Sequence, residues 1–189
     1  MANSDPKQVI MEHLNALKFS AQKDVDSNTP AQKPETTEKV GPTNIRFLKA
    51  RSLANRQLHL VSCEAPDGLE LYFTYYLIKD ENACWQVYDA IGGPAYETSR
   101  ETYSQPRALL SRAGWPDHFY ASGYIIENGV DVSLLRCIAA NGTIMEDEPS
   151  EDRFVLLFSE QPVRLPLRIE LYNQADNLVG SHEVFKGAL

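Results

Sequence analysis

Apolar and polar residues alternate with a period near two over most of this chain, and three Asx-Gly pairs punctuate the alternation. Asp67-Gly68, Asn128-Gly129 and Asn141-Gly142 each lie between two strand-like runs. Asx-Gly accepts the positive φ that both central residues of a type I′ turn require, so each pair predicts a two-residue hairpin. The first turn sets Glu64 opposite Leu71, Ser62 opposite Phe73, Leu60 opposite Tyr75 and Leu58 opposite Leu77. One face of that hairpin then carries Leu58, Leu60, Leu71, Phe73, Tyr75 and Leu77, a core face. The other carries His59, Val61, Cys63, Tyr72, Thr74, Tyr76 and Ile78, and is apolar enough to need a cover. A slip of one residue exchanges the faces. The second turn pairs Glu127 with Val130, Ile125 with Val132 and Gly123 with Leu134. The third pairs Ile138 with Met145 and sets Arg136 against Asp147 as a cross-strand ion pair.

The remaining pattern fills in the elements. Ile45 opens a meander that continues through residues 57–64, 69–79 and 84–90. A second β region starts at Phe119. Residues 154–158 are an unbroken apolar run, the mark of a strand covered on both faces. Residues 163–172 alternate, and Pro162 and Pro166 put that strand near an edge or a bulge. Residues 178–185 close the series.

Two helices are predicted. Asp5, Pro6 and Gln8 form an N-terminal start signal, and Ile10, Leu14 and Leu17 make one stripe of a helix ending near Ser20. Pro106 and Gly114 bracket a short internal helix. Residues 22–43 are polar, with Val25 and Val40 as their only bulky aliphatics, and read as a flexible linker or long exposed loop. The fold class is therefore mainly β: an antiparallel β-sandwich/meander with an N-terminal amphipathic helix and one short internal helix. The organisation is a helix over 1–21, a linker over 22–43, a meander segment with the short helix over 44–116 and a sandwich segment over 117–189. Residues 44–189 form either one domain or two.

Composition narrows the partners. The 189 residues carry 18 Lys and Arg against 26 Asp and Glu, a formal charge of −8. Such a surface repels phosphate backbones, which argues against general nucleic-acid binding. No apolar run approaches the ~20 residues of a membrane span. The N-terminus has no apolar signal core, and three cysteines, Cys63, Cys84 and Cys137, make an odd count. Both features favour reduced thiols and a cytoplasmic location. Asn141-Gly142-Thr143 matches a glycosylation sequon but is read as a turn.

No stretch carries a catalytic motif. Glu146, Asp147, Glu148, Glu151 and Asp152 form the densest acidic run. They are weak Ca²⁺ candidates, because the spacing of an EF-hand and its glycine are absent, and a solvated loop is the better reading. The cysteines have no zinc spacing, and pairing Cys137 with His118 or His182 as a nucleophilic site finds no support in the order of residues. Tyr72, Tyr76, Trp85, Tyr88, Tyr96 and Tyr103 cluster around the meander. Aromatics with polar tips favour binding surfaces, although strand packing accounts for Trp85 equally well.

The helix at 5–20, the meander, and the strand Trp85-Gln86-Val87-Tyr88-Asp89 after the Lys79-Asp80-Glu81-Asn82 turn resemble the NTF2-like fold over residues 5–20 and 57–90. Residues 22–43 lack that family's second and third helices. The second half resembles an immunoglobulin-type sandwich in spacing, without its Cys…Trp…Cys signature. Neither resemblance carries a functional residue across. The expectation is a non-enzymatic, cytoplasmic protein-interaction module acting on a partner or on itself, without cofactor. The alternative is a small-molecule pocket of the NTF2-like kind on the meander, and the binding candidates are His59, Tyr72, Tyr76, Tyr88, Tyr96 and Tyr103.

Overall fold

A computed structural model describes residues 5–17, 19–20, 39–94, 103–115 and 117–186. The chain is mainly β and antiparallel. It opens with α1 (Pro6–Ala16), followed by the two-residue strands β1 (Phe19–Ser20) and β2 (Lys39–Val40), which pair with each other. Residues 21–38, the bulk of the predicted linker, lie outside the described residues. Two compact units follow from the contacts: residues 1–47 with 52–95, and residues 48–51 with 96–189. No helix among the described residues is long and apolar enough to cross a membrane.

The first unit holds β3 (Thr43–Leu53), β4 (Arg56–Glu64), β5 (Glu70–Lys79) and β6 (Trp85–Pro94), adjacent in that order. Asp5 caps α1 by accepting the Lys7 N–H at 3.0 Å. Gln8 does not close a capping box; its amide donates to Glu12 one turn on. Ile10 and Leu14 are fully buried against Val61, Cys63, Leu71, Tyr75 and Leu77. Each such side chain contributes roughly 1.5–3 kcal/mol by leaving water. The helix thus docks on the sheet of its own chain. Among the described residues α1 is the only α-helix.

The hairpin register differs from the predicted one by a residue. Glu64 stands opposite Glu70, Ser62 opposite Tyr72 and Leu60 opposite Thr74. Ala65 N–H donates to the Leu69 carbonyl and Gly68 N–H to that of Ala65, both at 2.9 Å, so the loop is Pro66-Asp67-Gly68. Only Gly68, at φ +83, takes the left-handed position. Proline has no N–H for a ladder but suits the second position of a type I turn, which a left-handed glycine completes. Asn141-Gly142 behaves alike. Gly142 has φ +83, and Arg136 faces Glu146 rather than Asp147. The slip regroups the meander's faces: His59, Val61 and Cys63 share the α1 side with Leu71, Phe73, Tyr75 and Leu77, while Leu58, Leu60 and Ser62 join Tyr72, Thr74 and Tyr76.

The second unit is a sandwich. Its three-stranded sheet has the order β11-β8-β7, from β7 (Arg107–Trp115), β8 (His118–Ile126) and β11 (Phe154–Ser159). Its four-stranded sheet has the order β10-β9-β12-β13, from β9 (Leu134–Ala139), β10 (Ile144–Asp147), β12 (Leu167–Tyr172) and β13 (Leu178–Val184). Ala108, Phe119 and Ile125 of the first sheet share one core with Leu135, Cys137, Met145, Ile169 and Leu171 of the second.

Three further expectations are corrected in this unit. The segment predicted as an internal helix is β7, paired with β8 over its whole length. Pro106 and Gly114 punctuate a strand here, and Gly123 allows the close pairing: a Cβ there would lie 1.8 Å from the Leu109 carbonyl oxygen. Asn128 and Gly129 do both have positive φ, at 50° and 78°. Yet the strands they join enter different sheets, because Ile125 N–H donates to Arg153 and Ser133 N–H to Tyr172. The predicted pairing of Ile125 with Val132 therefore does not form. Finally, β12 is central in its sheet, and Pro162 and Pro166 precede it, where no ladder donor is required.

Candidate functional site

The sandwich has two lateral sides, each flanked by one end strand from either sheet. On one, β10 and β11 are stitched together. The Asp147 carboxylate accepts the Leu156 N–H at 2.6 Å and pairs with the Lys49 ammonium at 2.7 Å. Lys49 also donates to the Glu148 and Phe154 carbonyls. Arg51 donates to the carbonyls of Glu146 at 2.9 Å and Leu156 at 3.1 Å. Lys49 and Arg51 come from the middle of β3, the part that belongs to this unit. The Lys49 and Asp147 side chains are only 14% and 13% exposed, so the pair is largely desolvated.

On the other side β7 and β13 leave a cleft. Pro106, the residue before β7, meets β13 at Gly180, where a Cβ would fall 2.7 Å from the Pro106 carbonyl oxygen. His182 lies opposite Ile169 on the core-facing side of β13. Its Nε2 is 3.2 Å from the Ala108 carbonyl, which can only accept, so Nε2 carries the proton. Burial holds its pKa below the ordinary histidine value, opposed by the Ala108 hydrogen bond and reinforced by Arg107. The ring is therefore neutral near pH 7, and its buried Nδ1 has no partner.

Beyond His182 a hollow of about 430 Å³ opens, walled by Leu109, Leu110, Val184 and Phe185. A polar hollow of about 260 Å³ adjoins it, walled by Ser104, Gln105 and Ser181. Tyr103, Arg107 and His182 line both. The Arg107 guanidinium lies 4.7 Å over the Tyr103 ring, and that of Arg112 lies 5.0 Å over Phe185. Neither arginine forms an ion pair among the described residues.

The residues singled out from the sequence scatter. Tyr103 is in the cleft; Tyr96 lies outside the described residues. Tyr76 is buried and meets the exposed Tyr88 edge to face at 5.6 Å. Tyr72 shares their meander face with Tyr76, but His59 is on the opposite, α1-covered face. There His59 bonds Gln57 at 2.8 Å and stands edge to face with Phe47. Burial, with Lys7 adding to it and Asp5 opposing, lowers its pKa to about 4.

The acidic run is likewise divided: Glu146 pairs with Arg136 at 2.6 Å, Asp147 belongs to the stitched side, and Glu151 and Asp152 sit exposed in a turn. No group of three or more His, Cys, Asp or Glu among the described residues is placed to hold a metal ion. The Cys137 thiol is in the sandwich core, where burial pushes its pKa up to about 12. Cys63 and Cys84 lie at opposite ends of the meander.

Sequence reasoning missed Arg107, Lys49 and Arg51, and weighed His182 only as a partner for Cys137. Lys49 and Arg51 left a faint signal, two cations at i and i+2 in a strand, which places both on one face. No family model and no curated protein sequence matches this chain.

Proposed function

We propose that this chain is a non-enzymatic cytoplasmic binding module that holds a segment of a protein partner in the cleft between β7 and β13. The observation that carries the reading is that two end strands flank one apolar hollow. End strands offer unpaired N–H and C=O groups to which an extended segment can add, and adjoining pockets take its side chains. The state of the nearby chemistry favours holding over reacting. Cys137 is a buried thiol far from its thiolate, and His182 is neutral with its proton committed to Ala108. The charge of −8 weighs against a phosphate-bearing partner.

The test compares affinity capture by the wild type, by Leu109→Asp in the cleft and by Ile144→Asp, an exposed residue of β10. Partners retained by Ile144→Asp and lost by Leu109→Asp support the reading. Partners retained by both variants overturn it. Light scattering on the same proteins identifies the partner as a second copy if a wild-type dimer dissociates only in Leu109→Asp.

A further inference from the structure

Two features of the cleft bear on the chemistry of its occupant. The first is the unneutralised charge. In a chain with eight more acidic than basic side chains, Arg107 in the cleft and Arg112, over the Phe185 ring that walls it, have no ion pair among the described residues. Each lies over an aromatic ring. A guanidinium held over a ring still carries N–H donors in its own plane, and these can fork onto a carboxylate. The second is the division of the cleft. Arg107 sits where the apolar hollow of about 430 Å³ meets the polar one of about 260 Å³. His182 does not compete for an anion, being neutral and bonded to Ala108.

We infer that the cleft reads a carboxylate carried beside an apolar side chain on an extended peptide. The carboxylate takes the Arg107 fork. The apolar side chain enters among Leu110, Val184 and Phe185. The peptide's amide groups face Ser104, Gln105 and Ser181. The carboxylate has two sources of the same chemistry, a chain terminus or an Asp or Glu side chain. The inference rests on the protein-binding reading above and adds the recognition rule.

The test uses the full chain and fluorescein-labelled hexapeptides in polarisation titrations. One peptide ends in Leu-Phe with a free carboxylate, and its control is the same peptide amidated. A second carries an internal Asp-Phe with an amidated end, and its control has Asn for Asp. At least one carboxylate peptide is expected to bind, and its control to bind about 10-fold to 100-fold more weakly, the loss typical of a charged hydrogen bond. Whichever pair shows the difference identifies the source. Arg107→Gln should lose the same factor, Arg107→Lys should restore only part of it for want of the fork, and Ile144→Asp, on the far side of the sandwich, should bind as the wild type does. Controls that bind within about twofold, or an Arg107→Gln variant that binds unchanged, overturn the inference. So does the absence of binding by both the wild type and a Glu97→Gln/Glu101→Gln variant, which removes the carboxylates nearest to Arg107 on its N-terminal side in the sequence. Failure here, with partners still lost in Leu109→Asp, removes the carboxylate rule and leaves the protein-binding reading standing.

Discussion

The two sides of the sandwich face the same geometric problem and meet it differently. Where β10 and β11 end their sheets, Lys49, Arg51 and Asp147 fill the gap with charge-assisted hydrogen bonds to backbone groups. Where β7 and β13 end theirs, the one hydrogen bond seen to cross among the described residues is His182–Ala108, and Arg107 and Arg112 lie over aromatic rings. The teaching lies in what each cation does. A cation pointed at carbonyls and a buried carboxylate stabilises the fold. One held over a ring, with no ion pair among the described residues, keeps donors that could take an anion.

The largest expected effect breaks the stitched side. Asp147→Ala leaves Lys49 largely buried without its partner and the Leu156 N–H without its acceptor. Denaturant unfolding should show a loss of about 3–5 kcal/mol. A loss under about 1 kcal/mol would mean that the two sides do not differ in kind.

Next comes pH. His59 has a folded pKa of about 4 against an ordinary 6.5. Its proton is thus favoured by the unfolded chain, so stability is full above 6.5 and falls as pH drops from there towards 4. The loss reaches about 3 kcal/mol from this residue. His182 acts in the same direction, since its pKa is also lowered. Unfolding curves between pH 7 and 4 for the wild type, His59→Gln and His182→Asn should show a shallower slope in both variants. A His182→Asn slope equal to the wild-type one would deny that the cleft histidine is held neutral.

Gly180→Ala sharpens the comparison on the open side. Its Cβ would meet the Pro106 carbonyl at 2.7 Å, and the backbone shift should cost about 1–3 kcal/mol by thermal melting. The smallest effect concerns the exposed pair. A double-mutant cycle between Arg136 and Glu146 should give a coupling that is small beside the loss in Asp147→Ala and that salt screens further. A larger coupling of Arg136 to Asp147 would restore the hairpin register expected from the turn residues alone.

All the longer strands but β7 left a local signal, through alternation, an unbroken apolar run or Asx-Gly turns. The register did not. Pro66 and Ala140 each join the turn that follows them, and whether a loop holds two residues or three depends on the ladder it closes. Residues 107–115 were misread for a related reason: Pro106 and Gly114 punctuate helices and strands alike, and the pairing with β8 decides between them. Of the cleft, Tyr103 was legible as an aromatic in polar surroundings. Arg107 and His182 were not, since they lie 75 positions apart and meet only when the two sheets stack.

The proposed division of roles gives binding to the β7–β13 side and stability to the β10–β11 side. Its most direct test is amide chemical-shift mapping with the carboxylate-bearing hexapeptide. Shifts confined to residues 103–110 and 180–186, and absent in Arg107→Gln, are expected. Shifts centred on residues 144–157 instead, or unchanged by that variant, would contradict it.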